Sequence, residues 1–165
     1  MKIAIYPGSF DPITLGHLNI IKRASLCFDH LIVCVMVNSS KNGLFTAEER
    51  VKLIQKCTSD LCNVEADSSE GLLADYARRR NATAVVKGLR AVSDFESEMQ
   101  MAVLNRKLNT DLETLFLASN EKYTYLSSTI VKEMGLYGTD LKEFLPCEIL
   151  DEVKLKMKPI QERTE

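Results

Sequence analysis

The run Leu-Ile-Val-Cys-Val-Met-Val at residues 31–37 is apolar at every position and restricts the fold more than any other stretch. A strand with one wet face alternates apolar and polar side chains. A strand without alternation is covered on both faces, as in a parallel sheet held between helices. Four other short runs, KIAIY at 2–6, NVEA at 63–66, TAVVKG at 83–88 and ETLFLA at 113–118, alternate with segments of helical period. The pattern predicts one α/β domain over 1–165: a doubly wound, five-stranded parallel sheet followed by C-terminal helices. With 45% hydrophobic residues, a chain of this length buries roughly two-thirds of its unfolded surface and can hold a pocket unaided.

Local signals refine the helices. The first spans about 15–28. Thr46 and Glu49 form a capping box that opens a second helix running towards Asp60. Ser93 and Glu96 repeat the device, and the helix they open places Phe95, Met99, Ala102, Val103 and Leu108 on one stripe expected to be buried. A third helix begins at Leu72 and Leu73 and ends in Arg78, Arg79 and Arg80, cations that suit a helix C-terminus and are expected to face water. From Gly138 onward the pattern is helical with Pro146 as a break, and 154–165 read as a solvated helix end and frayed tail.

Composition excludes several classes of function. A formal net charge of -2 gives no global field for nucleic acid or a membrane surface, so an anionic ligand needs local cations. No apolar run approaches the ~20 residues of a membrane span. Cys27, Cys34, Cys57, Cys62 and Cys147 lie mostly among apolar neighbours without C-x-x-C spacing, and no signal peptide precedes MKIAIYPG. They read as reduced, buried or half-buried thiols of a cytoplasmic protein. His30 has no chemical companion nearby in sequence and is expected at the surface.

The stretch YPGSFDPITLGH at 6–17 joins the first strand to the first helix, the place where such folds bind ligands. Gly8 permits a turn or a close ligand approach, Pro12 stiffens the loop, and Gly16 leaves the helix start open. His17 falls in the first helical turn. There, backbone N–H groups and the positive dipole end favour a phosphate, to which an imidazole adds a donor; a tight turn with a helix-capping histidine explains the same spacing. Neither G-x-G-x-x-G nor G-x-x-x-x-G-K-[ST] occurs. Lys87-Gly88-Leu89-Arg90 sets two cations at the end of the fourth strand, a phosphate clamp or a solvated loop. Ser127, Ser128 and Thr129 open a short helix whose hydroxyls and N–H groups suit phosphates, with N-capping accounting for one of them.

TLGH at 14–17 after GSFDP resembles the T/H-x-G-H motif of the nucleotidylyltransferase superfamily. With KGLRAVSDFESEMQMAVLNRKL at 87–108 and LSSTIVKE at 126–133, the chain is similar over nearly its whole length to the phosphopantetheine adenylyltransferase family. The resemblance implies a Rossmann-like nucleotidylyltransferase fold and transfer of the adenylyl group of ATP to 4′-phosphopantetheine, giving dephospho-coenzyme A and pyrophosphate. It implies catalytic roles for His17, Lys41 and Arg90. The phosphopantetheine substrate is expected at Ser9, Lys41, Leu73 and Lys87. ATP is expected at Ser9, Phe10, His17, Gly88, Leu89, Arg90, Glu98, Tyr123, Thr124, Tyr125, Leu126, Ser127, Ser128 and Thr129. Taken without the family, Lys41 is an exposed loop lysine, Ser9 a turn serine, and Phe10 and Leu73 core residues. Many members carry arginine at the position of Lys87, and lysine keeps the charge without the bidentate fork.

The resemblance further implies Mg2+ held mainly through the ATP phosphates, coenzyme A as a feedback ligand, and a homohexamer for which apolar faces on the last helices could serve. Other readings are a nucleotidylyltransferase for nicotinamide mononucleotide or an alcohol phosphate, and a non-catalytic nucleotide-binding regulator. The region 87–108 speaks against the first, and the presence of His17, Lys41 and Arg90 against the second. A nucleic-acid module conflicts with a pI near 5.8 and the lack of aromatic-basic clustering.

Overall fold

The computed structural model describes residues 1–37 and 43–157, and its five strands form one parallel sheet in the order β3-β2-β1-β4-β5. β1 (Ile3–Gly8) leads through α1 (Leu15–Ser25) to β2 (His30–Val37), and α2 (Ala47–Cys57) leads to β3 (Val64–Glu70). After α3 (Leu73–Arg79) come β4 (Ala84–Leu89), α4 (Val92–Leu108) and β5 (Glu113–Ala118), followed by α5 (Ser128–Leu136) and α6 (Leu150–Lys156). Leu31, Ile32, Val33, Cys34 and Val35 of β2 are all buried, as an uninterrupted apolar run requires. Ala4, Leu31, Val33 and Val86 pack with residues of α1, α2 and α5. Ile5, Ile32, Cys34 and Val85, whose side chains alternate with these, pack with Tyr76 and Ala77 of α3 on the opposite face.

The sheet splits at its carboxyl end. β1 pairs with β2 as far as Gly8, and β4 with β5 as far as Leu89. Between β1 and β4 the pairing is confined to Ala4 and Ile5 with Ala84 and Val85. Beyond that the two central strands part, at the seam where the strand order reverses. This is where a doubly wound sheet leaves a crevice for a ligand.

Several expectations are corrected. β3 extends through Asp67, Ser68, Ser69 and Glu70, a polar segment without strand signal, because each of these residues registers against β2. As an edge strand it carries carboxylates that the rest of the chain must neutralise. Arg80 does so, reaching Glu65 at 2.7 Å and Asp67 at 2.6 Å, while the Tyr76 hydroxyl donates to Asp67 at 2.5 Å. Arg80 is therefore not a solvated helix end, and His30 is not solitary: its Nε2 lies 2.9 Å from Glu65. Cys34 and Cys57 are buried, whereas Cys27, Cys62 and Cys147 are exposed. α1 stops at Ser25 and α2 at Cys57, and the segment between α5 and residue 147 forms turns rather than helix. The expected tail falls partly outside the described residues, at 158–165; of the rest, Met157 is buried.

α4 departs furthest. It starts at Val92 with Ala91 as N-cap and no side-chain cap, so position 93 lies inside the helix rather than at its cap as expected. Its expected buried stripe is exposed: Phe95 and Met99 are each 39% exposed, Leu108 41% and Val103 63%, with only Ala102 half-buried. Periodicity defines a face but not its partner: Phe95 meets the edge of the Phe116 ring of β5 at 5.7 Å, and Val103, 63% exposed, is left largely open. The broad exposed apolar face is thus on α4; at the last helices the exposed large apolar residues are Tyr137 and Leu155.

Three segments meet on Asp11, which is 4% exposed and precedes Pro12 in a cis peptide. Its carboxylate accepts the N–H groups of Leu44 and Phe45, both at 2.9 Å, the Lys132 ammonium at 2.9 Å, and lies 3.3 Å from Arg50 Nε. Burial would raise its pKa, but the bonds from Leu44, Lys132 and Phe45 and the Arg50 charge together hold it below the usual value. The carboxylate so ties the loop after β1 to the start of α2 and to α5. Asp11→Ala is expected to lower the free energy of unfolding by roughly 3 kcal/mol, because it leaves two cations and two amides facing a hole. Chemical denaturation of both chains measures this.

Candidate active site

The crevice between β1 and β4 is a cavity of about 300 Å³. The loop after β1 supplies Ser9 and Phe10, and the start of α1 supplies His17; the end of β4 supplies Lys87 and Gly88, with Arg90 just beyond it; α4 supplies Glu98; and the segment leading into α5 brings Tyr123, Leu126, Ser127, Ser128 and Thr129. Gly8 and Leu126, 118 positions apart in sequence, both line the cavity and are brought together only by the fold. Three expected nucleotide contacts do not line the cavity. Leu89 closes β4, Thr124 donates its hydroxyl to the Glu121 carbonyl at 3.0 Å, and Tyr125 is exposed against Phe144. Lys41 lies outside the described residues.

His17 is held from two sides. Thr14 caps α1 and forms a capping box with it: the Thr14 N–H donates to His17 Nδ1 at 3.1 Å, and the His17 N–H donates to Thr14 Oγ1 at 3.3 Å. The first-turn amides are accordingly less available to an anion than the sequence suggests, since Leu15 N–H also donates, to Phe144, at 2.9 Å. Phe10, 1% exposed and at φ 47°, packs its ring edgewise on His17 at 5.1 Å and on Tyr6 at 5.3 Å. It is both a core residue and part of the cavity wall. Its ring leaves no room for a side chain at Gly8, where a Cβ would stand 2.9 Å from it. Burial, helped by the Arg90 charge, lowers the imidazole pKa to about 4. With Nδ1 accepting, the neutral ring carries its proton on Nε2 and can donate it as a hydrogen bond.

Both cations of the strand-end clamp are paired with carboxylates of α4 one turn apart. Lys87 Nζ lies 3.0 Å from Glu98, and Arg90 Nε lies 3.1 Å from Asp94. Arg90 also donates to the Leu126 carbonyl at 3.2 Å. Ser127 accepts the Ile130 N–H at 3.1 Å as N-cap, and Ser128 donates to the Pro12 carbonyl at 2.8 Å. Two of the three hydroxyls thus have structural partners, while Thr129 is exposed. Asp94, not singled out from sequence, is the counter-ion of Arg90, for which their four-residue spacing was an available signal. Nothing in the sequence marks Asp11, Arg50 or Lys132 as one cluster.

A second cavity of about 340 Å³ adjoins the first. Its wall is largely apolar: Met36, Leu72, Leu73, Met101, Leu104 and Leu108, with Pro7, Gly8, Ser9 and Lys87 common to both cavities. Leu73 is therefore not simply core, and part of the exposed face of α4 lines this groove. Among the described residues no cluster of three or more His, Cys, Asp or Glu could hold a metal ion.

The sequence matches the cytidylyltransferase-like family over residues 5–134. It is 54% identical to a phosphopantetheine adenylyltransferase of Clostridium novyi over 93% of this chain and 95% of that one. It is 51% identical to a protein of the same name from Caldanaerobacter subterraneus over 96% and 99%. Among solved structures, the Plasmodium falciparum nicotinic acid mononucleotide adenylyltransferase complexed with NaAD superposes with a TM-score of 0.67 at 16% identity, covering 95% of this chain and 98% of that one. A putative nicotinate-nucleotide adenylyltransferase of Vibrio parahaemolyticus does so with the same score at 20% identity, covering 96% and 98%. The two structures share the fold. With its matched family region spanning both lips of the crevice and its curated relatives aligned over nearly their full length, the chain belongs to the phosphopantetheine adenylyltransferase family of cytidylyltransferase-like proteins.

Proposed function

We propose that the chain transfers the adenylyl group of ATP to 4′-phosphopantetheine, forming dephospho-coenzyme A and releasing pyrophosphate. The observation that carries this reading is the pair of adjoining cavities: a polar cleft suited to a nucleotide, and an apolar groove suited to a long, mostly uncharged arm, with Lys87 bordering both. A substrate whose arm ends in a phosphate would present that phosphate to Lys87.

The incoming phosphate is largely dianionic near neutral pH, its second pKa being about 6, so attack on the α-phosphorus needs no general base. Catalysis is then positioning and charge stabilisation. His17 donates from Nε2 to the α-phosphoryl oxygens as charge builds there. Lys87 orients the nucleophilic phosphate, and Arg90 with Ser127, Ser128 and Thr129 holds the β- and γ-phosphates. Lys41 bridges the nucleophile and the α-phosphate in this scheme. To do so, Lys87 and Arg90 share or exchange their carboxylate partners for phosphate. The cleft carboxylates Asp94 and Glu98 already face cations, which fits Mg2+ bound through the ATP phosphates rather than by a protein cage. When bound, the ion offsets triphosphate charge.

The same reading includes a cytoplasmic homohexamer with coenzyme A as feedback ligand. Support for assembly is the apolar face of Val92, Phe95, Met99 and Val103 on α4, and for feedback the likeness of coenzyme A to the product. No described helix is long and apolar enough to cross a membrane.

Incubation with ATP, Mg2+ and 4′-phosphopantetheine, beside a tube with nicotinamide mononucleotide, is expected to give pyrophosphate and dephospho-coenzyme A in the first tube only. ATP binding without product would overturn the proposal. His17→Ala should lower kcat about 100-fold or more while changing the Kd for ATP less than about fivefold, measured by steady-state kinetics and calorimetry. The lowered pKa of the half-buried imidazole also predicts a pH effect on stability. Its folded pKa of about 4 lies below the ordinary imidazole value of 6.5, so the unfolded chain binds the proton first. Stability from this group is full above pH 6.5 and is lost as the pH falls towards 4. Unfolding curves across that window should slope less in His17→Asn than in the unmodified chain.

A further inference from the structure

The parting of β1 and β4 sets one further polar group beside the cleft. Tyr6 is on the β1 lip, 7% exposed, and its ring is clamped edgewise on Phe10. Its side chain lies on the α1 face of the sheet, among the core residues there, yet the residue also lines the polar cleft. The hydroxyl reaches across the split towards Gly88 on the β4 lip, for a Cβ on Gly88 would stand 3.6 Å from Tyr6 Oη. Gly88 is the residue between the two clamp cations. Among the described residues no hydrogen-bond partner takes the Tyr6 proton, which leaves the hydroxyl to donate into the cleft that the residue lines. Burial, aided by Glu98 and opposed by Arg90, pushes the phenol well above its usual pKa, and it stays a neutral donor at any working pH.

We infer that Tyr6 is a further substrate-contacting residue, its hydroxyl donating a hydrogen bond to a phosphoryl oxygen that lies across the β1–β4 split between His17 and the Lys87-Arg90 clamp. This rests on the adenylyl-transfer reading above. The chemistry suits the place. A neutral O–H adds a donor without adding to the repulsion between two nearby cations, and it costs no proton transfer as charge develops. The Phe10 ring that orients His17 also orients Tyr6, so one aromatic side chain sets two donors on the same side of the cleft.

Tyr6→Phe removes the oxygen and keeps the ring, so packing on Phe10 is retained. With ATP, Mg2+ and 4′-phosphopantetheine, kcat/KM is expected to fall about 10- to 100-fold, as for loss of a hydrogen bond to a charged group, with the thermal midpoint within about 3 °C of the unmodified chain. Kinetics within twofold would overturn the inference. So would a fall in activity matched by a large loss of midpoint, which would assign the hydroxyl to the fold. If the unmodified chain forms no product, the adenylyl-transfer reading has failed, and calorimetry of the two chains with Mg-ATP decides the role of Tyr6 by itself. A Kd weakened about tenfold in Tyr6→Phe is expected there, and equal values would overturn it.

Discussion

The pairing of β1 with β4 sustains everything at this site, and what matters is how soon it ends. Ala4 and Ile5 register with Ala84 and Val85, close enough to keep one continuous sheet and one core on each face. Past that point the strands separate, because the loops that follow them run to helices on opposite faces. Parallel direction places all five carboxyl ends together, and the seam turns that edge into a cleft. His17, Tyr6 and Phe10 stand on one side, and Lys87, Gly88 and Arg90 on the other. A closed sheet would have no room for a reacting group between them.

Electrostatics within the cleft are balanced without ligand. Asp94 and Glu98 on successive turns of α4 face Arg90 and Lys87, and the net field of the chain is slightly acidic. An anion entering the cleft would meet these cations already paired, so it must satisfy them better than the carboxylates do. The neutral His17 and Tyr6 add directed donors that do not bring in further charge. Asp11 works on the same principle at one remove, holding Arg50 and Lys132 near the start of α5 with its own charge fully engaged.

Much of the architecture was legible because the underlying signals are local. β5 was predicted at its observed bounds, and the Thr46–Glu49 capping box forms as read, with N–H to Oγ1 at 3.2 Å. The clamp residues and the hydroxyl cluster also lie at the expected element ends. Misreadings arose where a pattern implied a partner. The stripe on α4 has the right period, yet much of it faces outward and part of it walls a groove. β3 runs on through polar residues because β2 offers it a pairing edge, and Arg80 is drawn to the carboxylates this creates. Asp11 gave no signal because its partners are 33 to 121 positions away.

The sequence by itself determined the strand-helix alternation, the parallel sheet and the kinds of side chain at each strand end, since these follow from spacing within a few turns of chain. Tertiary structure alone decided which cation meets which carboxylate, that Nδ1 of His17 is occupied and Nε2 left to donate, and that Tyr6 reaches across to Gly88. Those outcomes depend on distances between segments remote in sequence and on burial, and neither is a property of a local stretch.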